Sequence, residues 1–138
     1  MKMRRKALVD VATWVDRVNR LSEEEDLLVV VEGKFDFLAL RKLGVRGEIL
    51  VLREFLEFLD RQRRSGLRGR VFLILTDFDE EGRLLCYKLT NLVRDMGGVV
   101  RTDLRKELRK YIRIERIEDL EHLANDDLWS LIRGREPL

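Results

Sequence analysis

The chain alternates short, continuous apolar runs with longer stretches in which apolar residues recur every three or four positions. Continuous runs are typical of strands that are buried on both faces of a parallel sheet, and the longer spacing is typical of helices that cover such a sheet. The pattern predicts strands at 27–31, 48–52, 71–75 and 99–101, and helices at 4–21, 35–43, 54–64, 80–96 and 103–110. This alternation predicts an α/β fold in which right-handed βαβ units build a parallel sheet.

The last third of the chain has a less regular pattern. Residues 111–117 (YIRIERI) alternate apolar and charged side chains, which fits an exposed strand and equally fits the start of the next helix. Residues 117–123 and 126–134 are predicted to form short closing helices, with Asp126 as the N-cap of the second. Trp129 in that second helix is expected to anchor its packing.

Length and composition exclude several classes of protein. The 138 residues suffice for one domain with its own core, and no apolar run approaches the roughly 20 residues of a membrane span. The basic amino terminus leads into an amphipathic pattern instead of a signal-peptide core, so a cytoplasmic location is expected. The single cysteine, Cys86, and the single histidine, His122, exclude an internal disulfide and a zinc cluster of Cys and His ligands. Hydrolytic chemistry would therefore depend on a metal held by other residues.

Carboxylates follow two of the predicted strands. Glu32 ends the run VVVE, and Asp77 and Asp79 follow the run VFLIL in the segment TDFDEEG. The carboxyl ends of parallel strands meet at one edge of a sheet, where ligands bind, and clustered carboxylate oxygens suit Mg²⁺. Strand alternation would place both aspartates on one face, with Phe78 pointing away to pack. The competing interpretation is that these acids only cap the helix that follows.

The residues after Glu32 add candidates for ligand binding. Gly33 allows the backbone to approach a ligand closely or to turn sharply. Lys34 would meet a phosphate as a point charge, and Asp36 would cap the helix that begins there.

Basic residues are concentrated between positions 41 and 70, although the net charge of the chain is only +2. The densest segment, RQRRSGLRGR at 61–70, is either a solvated helix face and turn or a phosphate-contacting surface. A high content of Glu and Arg also fits the ion-pair surface of a thermophilic protein. The candidate phosphate contacts in this segment are Arg61, Arg63, Arg64 and Arg68.

The two motifs together, EGKFD at 32–36 and DFDEEG at 77–82, resemble the Toprim family. Type IA topoisomerases, bacterial primases, recombination proteins and ribosomal-RNA maturation nucleases share this domain. The resemblance covers about residues 27–102 and implies a Rossmann-like sheet of about four mainly parallel strands with helices on both faces. Residues 1–26 would then form an N-terminal helix that packs on this core, and residues 103–138 a C-terminal helical extension.

The resemblance also implies roles for individual residues. Glu32 corresponds to the family's acid–base glutamate, Asp77 and Asp79 to its metal-binding aspartates, and Gly82 to the glycine that closes the second motif. Glu32 would also ligate metal in a two-ion site. The implied cofactor is Mg²⁺, as one or two ions, with Mn²⁺ as a substitute.

The sequence departs from the topoisomerase version of these motifs. Arg83 stands where those enzymes have another acid, and Phe78 stands where some relatives have a proline. The EGK and TD segments are closer to the ribosomal-RNA maturation nucleases and to small stand-alone Toprim proteins of archaea and bacteria. A third metal carboxylate would have to come from Glu80 or Glu81.

Two functions of different classes remain open at this stage. The first is Mg²⁺-dependent phosphodiester chemistry on nucleic acid, with RNA favoured over DNA, as in a nuclease that processes RNA. The second is a non-catalytic subunit that binds nucleic acid with the help of the metal, within a larger processing complex. A single small domain offers little specific surface, which favours a homodimer or a protein complex. Topoisomerase activity needs a separate strand-gating domain and a complete primase needs a zinc module, so we expect neither activity from these 138 residues.

Overall fold

The computed structural model describes residues 2–134, with four strands and seven helices in that part of the chain. The strands are β1 (Leu28–Val31), β2 (Ile49–Val51), β3 (Val71–Leu75) and β4 (Val99–Val100). The helices are α1 (Lys2–Glu25), α2 (Lys34–Leu43), α3 (Leu52–Arg61), α4 (Glu80–Asp95), α5 (Thr102–Tyr111), α6 (Glu121–Ala124) and α7 (Asp127–Ile132), with a 3₁₀ turn at Ile117–Leu120.

The four strands form one parallel sheet in the order β2-β1-β3-β4. Side chains of β1 and β3 point alternately into two apolar clusters, one on each face of the sheet. The first cluster joins the sheet to α1, α2, α5 and the C-terminal helices, and the second joins it to α3 and α4. The predicted α/β architecture, with a parallel sheet covered by helices on both faces, is confirmed.

The long helix α1 belongs to the first cluster. It buries Trp14 against α5, and the indole Nε1–H donates a hydrogen bond of 2.9 Å to the carbonyl of Leu104. Each large apolar side chain that is fully buried contributes about 1.5–3 kcal/mol, so the buried face of α1 supplies much of the stability. Trp129 of α7 is buried in the same cluster, and Asp126 accepts a hydrogen bond from the Leu128 N–H as the N-cap. Both predictions for this helix are confirmed.

Residues 112–116 form neither of the two structures that their alternating pattern suggested. Helix α5 ends at Tyr111, and an irregular segment follows it to the 3₁₀ turn. Its backbone contacts the turn that follows β3 instead of pairing with a strand, because the Phe78 N–H donates to the carbonyl of Glu115 at 2.6 Å. Ile114 and Ile117 pack on the first cluster, which explains the apolar positions.

Within residues 2–134, none of the helices is long and apolar enough to cross a membrane.

Candidate functional site

The sheet brings the two acidic motifs together at its carboxyl edge. Strands β1 and β3 are direct neighbours, and Val31 is paired with Leu75 at their carboxyl ends. The residue that follows β1 is Glu32, whose Oε2 accepts a hydrogen bond of 2.8 Å from the backbone N–H of Asp77. Glu32 therefore points towards the aspartate segment.

Asp77 and Asp79 lie beyond the end of β3, so strand alternation is not the reason that they share a site. Asp77 Oδ1 accepts a hydrogen bond of 2.9 Å from the Ile117 N–H. Asp79 is the N-cap of α4, and its Oδ1 accepts from the Gly82 N–H at 2.7 Å. The helix-capping interpretation is therefore correct for Asp79, and both side chains nevertheless line one cleft.

The turn between β3 and α4 is packed around Gly82. A Cβ atom at this position would lie 2.0 Å from the carbonyl oxygen of Asp77, so no side chain fits. The buried Thr76 hydroxyl donates to the carbonyl of Gly82 at 2.6 Å and closes the turn. Phe78 points away from the cleft and is only 5% exposed, as the sequence predicted.

Gly33 has a different environment. Its φ of −149° is ordinary extended backbone, so the structure contains no sharp turn that requires glycine here. A Cβ at Gly33 would meet nothing within 4 Å in the described part of the protein. Gly33 therefore leaves open space beside Glu32, and its N–H donates to Asp36 Oδ2 at 3.0 Å.

The cleft at this edge has a volume of about 330 Å³ and is strongly acidic. Among the described residues that line it, Arg116 is the single base, and it lies 3.5 Å from Glu118. The acidic side chains in its wall are Glu32, Asp36, Asp77, Asp79, Glu81 and Glu118.

The crowding of these acids shifts two pKa values. Burial raises the pKa of Asp36 to about 6, and the negative charges of Asp77, Glu32 and Glu118 add to the effect. The pKa of Asp77 is also raised, first by burial and then by Asp79 and Glu118. A nearby cation would reverse such shifts, because an opposite charge favours the ionised carboxylate.

Sequence reasoning missed part of this wall. Asp36 was expected only to cap α2, and it does accept from Gly33, but it also lines the cleft at 7% exposure. Arg116 and Glu118 gave no signal, because they reach the site through the irregular segment after α5. Of the two glutamates that follow Asp79, the structure places Glu81 in the wall.

The residues present fit a hard divalent cation. Glu32, Asp77 and Asp79 each use one oxygen to accept a backbone N–H, and the second oxygen of each has no hydrogen bond within residues 2–134. No three acidic, His or Cys side chains in the described part are already grouped closely enough to ligate one ion. This donor set suits Mg²⁺, which typically keeps several waters and takes one or two carboxylates directly.

The basic residues predicted to contact phosphate lie in two different places. Lys34 is exposed at the start of α2, at the same edge as the acids. The 61–70 segment connects the end of α3 to the start of β3, so it lies at the opposite, amino edge of the sheet. The structure does not bring Arg61, Arg63, Arg64 or Arg68 to the acidic cleft.

Comparisons with known proteins agree with this fold. The sequence model of the Toprim domain matches residues 26–102. A UPF0292 protein of Methanocaldococcus jannaschii is 34% identical over 109 residues, which cover 78% of this chain and 85% of that protein. A UPF0292 protein of Thermococcus kodakarensis is 38% identical over 109 residues, which cover 78% of this chain and 80% of that protein. The solved structure of a protein from Aquifex aeolicus matches with a TM-score of 0.64 and 26% identity, over 79% of this chain and 96% of that chain.

The parallel sheet and its acidic carboxyl edge define the class, an α/β protein with a candidate metal site. The chain belongs to the Toprim family, and within it to the UPF0292 proteins. Toprim domains generally bind Mg²⁺, and this membership supports a metal-dependent function related to nucleic acid.

Proposed function

We propose that this protein carries out Mg²⁺-dependent phosphodiester chemistry on nucleic acid, with RNA favoured over DNA. The observation that supports it most directly is the position of Glu32. Its carboxylate is held at 2.8 Å by the backbone N–H of Asp77, beside two aspartates that each have one oxygen without a hydrogen bond in the described chain. The preference for RNA is based on the likeness of the EGK and TD segments to RNA-maturation nucleases.

The proposed roles follow from the free oxygens. Asp77 and Asp79 would hold the ion, and Glu32 would act as general acid or base or as a ligand of a second ion. Because Oε2 of Glu32 is engaged with a backbone N–H, Oε1 is the atom that would take or give a proton. A bound Mg²⁺ would polarise a phosphoryl oxygen and offset its developing charge, and Mn²⁺ would substitute for it. Lys34 would contact a neighbouring phosphate.

A non-catalytic, metal-assisted nucleic-acid-binding or adaptor subunit is the second candidate. One observation favours it, which is that Glu32, Asp77 and Asp79 are each held by a backbone N–H and no ligand trio is preassembled in residues 2–134. Such a site would hold a phosphate through the ion without cleaving it. A homodimer or a larger complex would then supply further binding surface.

Cleavage assays test the first candidate. Structured RNA and DNA of matched sequence are incubated with the protein in Mg²⁺, in Mn²⁺ and in EDTA. We expect product only with a divalent ion, and a loss of about 10²-fold or more for Glu32→Gln, since the amide oxygen still accepts the Asp77 N–H but cannot transfer a proton. The matched control is Glu57→Gln on the exposed surface of α3, which should cleave like the wild type. Equal activity of the wild type and Glu32→Gln would end the catalytic assignment.

A binding assay on the same substrates separates the two candidates. Retention of nucleic acid that depends on Mg²⁺, without product after long incubation, would favour the adaptor subunit. Both candidates require phosphate contacts, so affinity should fall as salt rises. Affinity independent of salt would contradict both.

A further inference from the structure

Helices α4 and α5 enclose a groove of about 400 Å³ beside the acidic cleft. On α4 the lining residues recur at helical spacing, so a single face of the helix forms one wall, and the same is true of α5. The nearly buried Phe78 also lines the groove, Cys86 is in the α4 wall, and Tyr87 lies in the same wall with 66% of its surface exposed.

The groove is lined by five cations, and no acidic side chain lines it within the described residues. None of the five forms an ion pair in that part of the chain, although ten other basic side chains do. The acids of α5 pair elsewhere, since Asp103 and Glu107 both contact Arg17 of α1. The five cations are Arg83, Arg94, Arg105, Lys106 and Arg109.

Two of the cations are fixed in place by the core. The Arg105 guanidinium donates to the carbonyls of Thr76 at 2.6 Å and Asp77 at 2.9 Å, and it lies 4.8 Å from the Phe78 ring centroid. Arg109 lies 5.3 Å from the same centroid. Positive charge is therefore preorganised in the groove, which lowers the entropy lost when an anion binds.

The groove adjoins the acidic cleft directly. The segment from Asp77 to Asp79 separates them, with the two aspartates facing the cleft and the ring between them facing the groove. A polyanion lying in the groove would thus lie next to the acidic cleft that Glu32 lines.

The shape and chemistry select one occupant. Five cations match a phosphodiester backbone, and three of them (Arg83, Arg94 and Lys106) have no side-chain hydrogen bond or ion pair in the described chain. An exposed tyrosine on a groove wall gives a face on which a base can stack. The volume lies near the lower end of the ~300–1,000 Å³ typical of small-molecule sites, which suits one or two nucleotides of a single strand inside the groove.

We propose that the α4–α5 groove binds single-stranded nucleic acid and presents it to the carboxylates on the other side of the 77–79 segment. This inference rests on the proposed function, because it takes nucleic acid as the substrate and adds that the bound form is a single strand. The predicted surface at 61–70 would then be at most a secondary contact, because it lies at the other edge of the sheet and Arg63 is already paired with Asp60 at 3.2 Å.

Fluorescence anisotropy on the full-length protein tests this in EDTA and in Mg²⁺. The probes are labelled oligouridylate and oligodeoxythymidylate of about twelve nucleotides, within the ~4–16 nucleotide range of single-strand sites. An RNA hairpin with a long paired stem and a short loop serves as the duplex probe. We expect at least about tenfold tighter binding of the single strands than of the hairpin, and comparison of the two single strands gives the sugar preference.

Charge-matched variants locate the contact. The groove variant Arg83→Gln/Arg94→Gln/Lys106→Gln removes three exposed cations and leaves the two fixed arginines alone. We expect it to weaken binding at least about tenfold and to reduce the salt slope by ~0.7 for each lost phosphate contact. The control Arg5→Gln/Arg20→Gln/Arg53→Gln removes the same charge from other exposed positions and should change affinity less than about threefold. Tyr87→Ala should weaken binding at least about fivefold, and Tyr87→Phe should restore it.

The inference is overturned if the groove variant binds no more weakly than the control, or if the hairpin binds as tightly as the single strands. A loss confined to Arg61→Gln/Arg64→Gln/Arg68→Gln would overturn it too, because that result would place the strand at the amino edge. The cleavage assay with Glu32→Gln fails or succeeds independently of these results. Strand binding in the groove without any cleavage would leave this inference standing and remove the catalytic proposal.

Discussion

The backbone between β3 and α4 comes so close to itself that one residue decides the shape of the site. Gly82 lies against the carbonyl of Asp77, and its own carbonyl accepts the Thr76 hydroxyl. The same N-terminal turn of α4 is capped by Asp79. A change at Gly82 therefore displaces both aspartates at once.

Gly82→Ala is expected to destabilise the protein by about 3 kcal/mol, because the added methyl overlaps the Asp77 carbonyl and the backbone must move. Urea unfolding monitored by circular dichroism measures this. The matched control is Gly33→Ala, whose new methyl meets open space and whose φ is ordinary, and it should change the free energy of unfolding by less than about 1 kcal/mol. Equal effects of the two substitutions would contradict the crowding argument.

Asp36 makes the stability of the metal-free protein depend on pH. Its pKa is about 6 when folded, against 3.8 as the ordinary value, so the folded state binds more protons than the unfolded state between those two pH values. Stability from this group is therefore fully present below about pH 4 and is lost as pH rises through about 6.

We expect the effect of Asp36→Asn on the free energy of unfolding, taken as variant minus wild type, to be about 1–2 kcal/mol more stabilising at pH 8 than at pH 4. The reason is that the amide still accepts the Gly33 N–H but carries no charge. Denaturant unfolding in EDTA across this pH range measures the difference between variant and wild type. A difference that does not change with pH would show that burial and neighbouring acids do not disfavour the ionised carboxylate.

At the scale of elements, α5 and the segment after it hold the end of β3 in place. Arg105 donates to the carbonyls of Thr76 and Asp77. The carbonyl of Glu115 accepts from the Phe78 N–H, and the Ile117 N–H donates to the Asp77 carboxylate. The C-terminal third of the chain is thus a structural support of the site.

Arg105→Lys is expected to cost about 2 kcal/mol, because an ammonium group cannot reproduce the planar fork that reaches both carbonyls and stacks on Phe78. Thermal and urea unfolding measure the loss. The adjacent, exposed Lys106→Arg keeps the charge on the same helix and should stay within about 0.5 kcal/mol of the wild type. An Arg105→Lys variant as stable as this control would rule out the supporting role.

The accuracy with which the sequence predicts a helix or strand depends on which contacts produce its pattern of apolar residues. Strands buried on both faces leave continuous apolar runs, so β1 and β3 were predicted within a residue of their bounds. The prediction for 112–116 was wrong because the apolar residues of this segment pack a loop against the core. The local spacing of apolar residues does not distinguish such a loop from a strand. Arg116 and Glu118 were missed for the same reason, since their position depends on tertiary pairing with the Asp77 turn.

At the scale of the whole molecule, two apolar clusters on opposite faces of one sheet hold the protein together. The sequence indicated both faces but could not order the strands, because strand order depends on which helices cover which face. The 61–70 segment was considered together with the acidic motifs because of its charge alone. It follows a helix and precedes β3, so the connectivity places it at the amino end of the strands, whatever the strand order.

Helix α1 is part of the first cluster, so Trp14→Ala should cost about 3–5 kcal/mol. The indole is 1% exposed, and its loss removes both the packing and the hydrogen bond to Leu104. Val9→Ala on the exposed side of α1 is the control and should cost less than about 1 kcal/mol.

In the wild type, unfolding followed by tryptophan fluorescence should coincide with unfolding followed by circular dichroism, because Trp14 and Trp129 lie in one cluster. Separate transitions would show that α1 unfolds on its own.

The position of Cys86 has a practical consequence. It is the one thiol of the chain and lies in the wall of the groove between α4 and α5, with its sulfur 3.9 Å from the Thr90 hydroxyl. A maleimide dye or a spin label would therefore attach at a single known position without any engineering. The natural sequence thus supplies a spectroscopic reporter beside Phe78, one that leaves every carboxylate of the acidic cleft untouched.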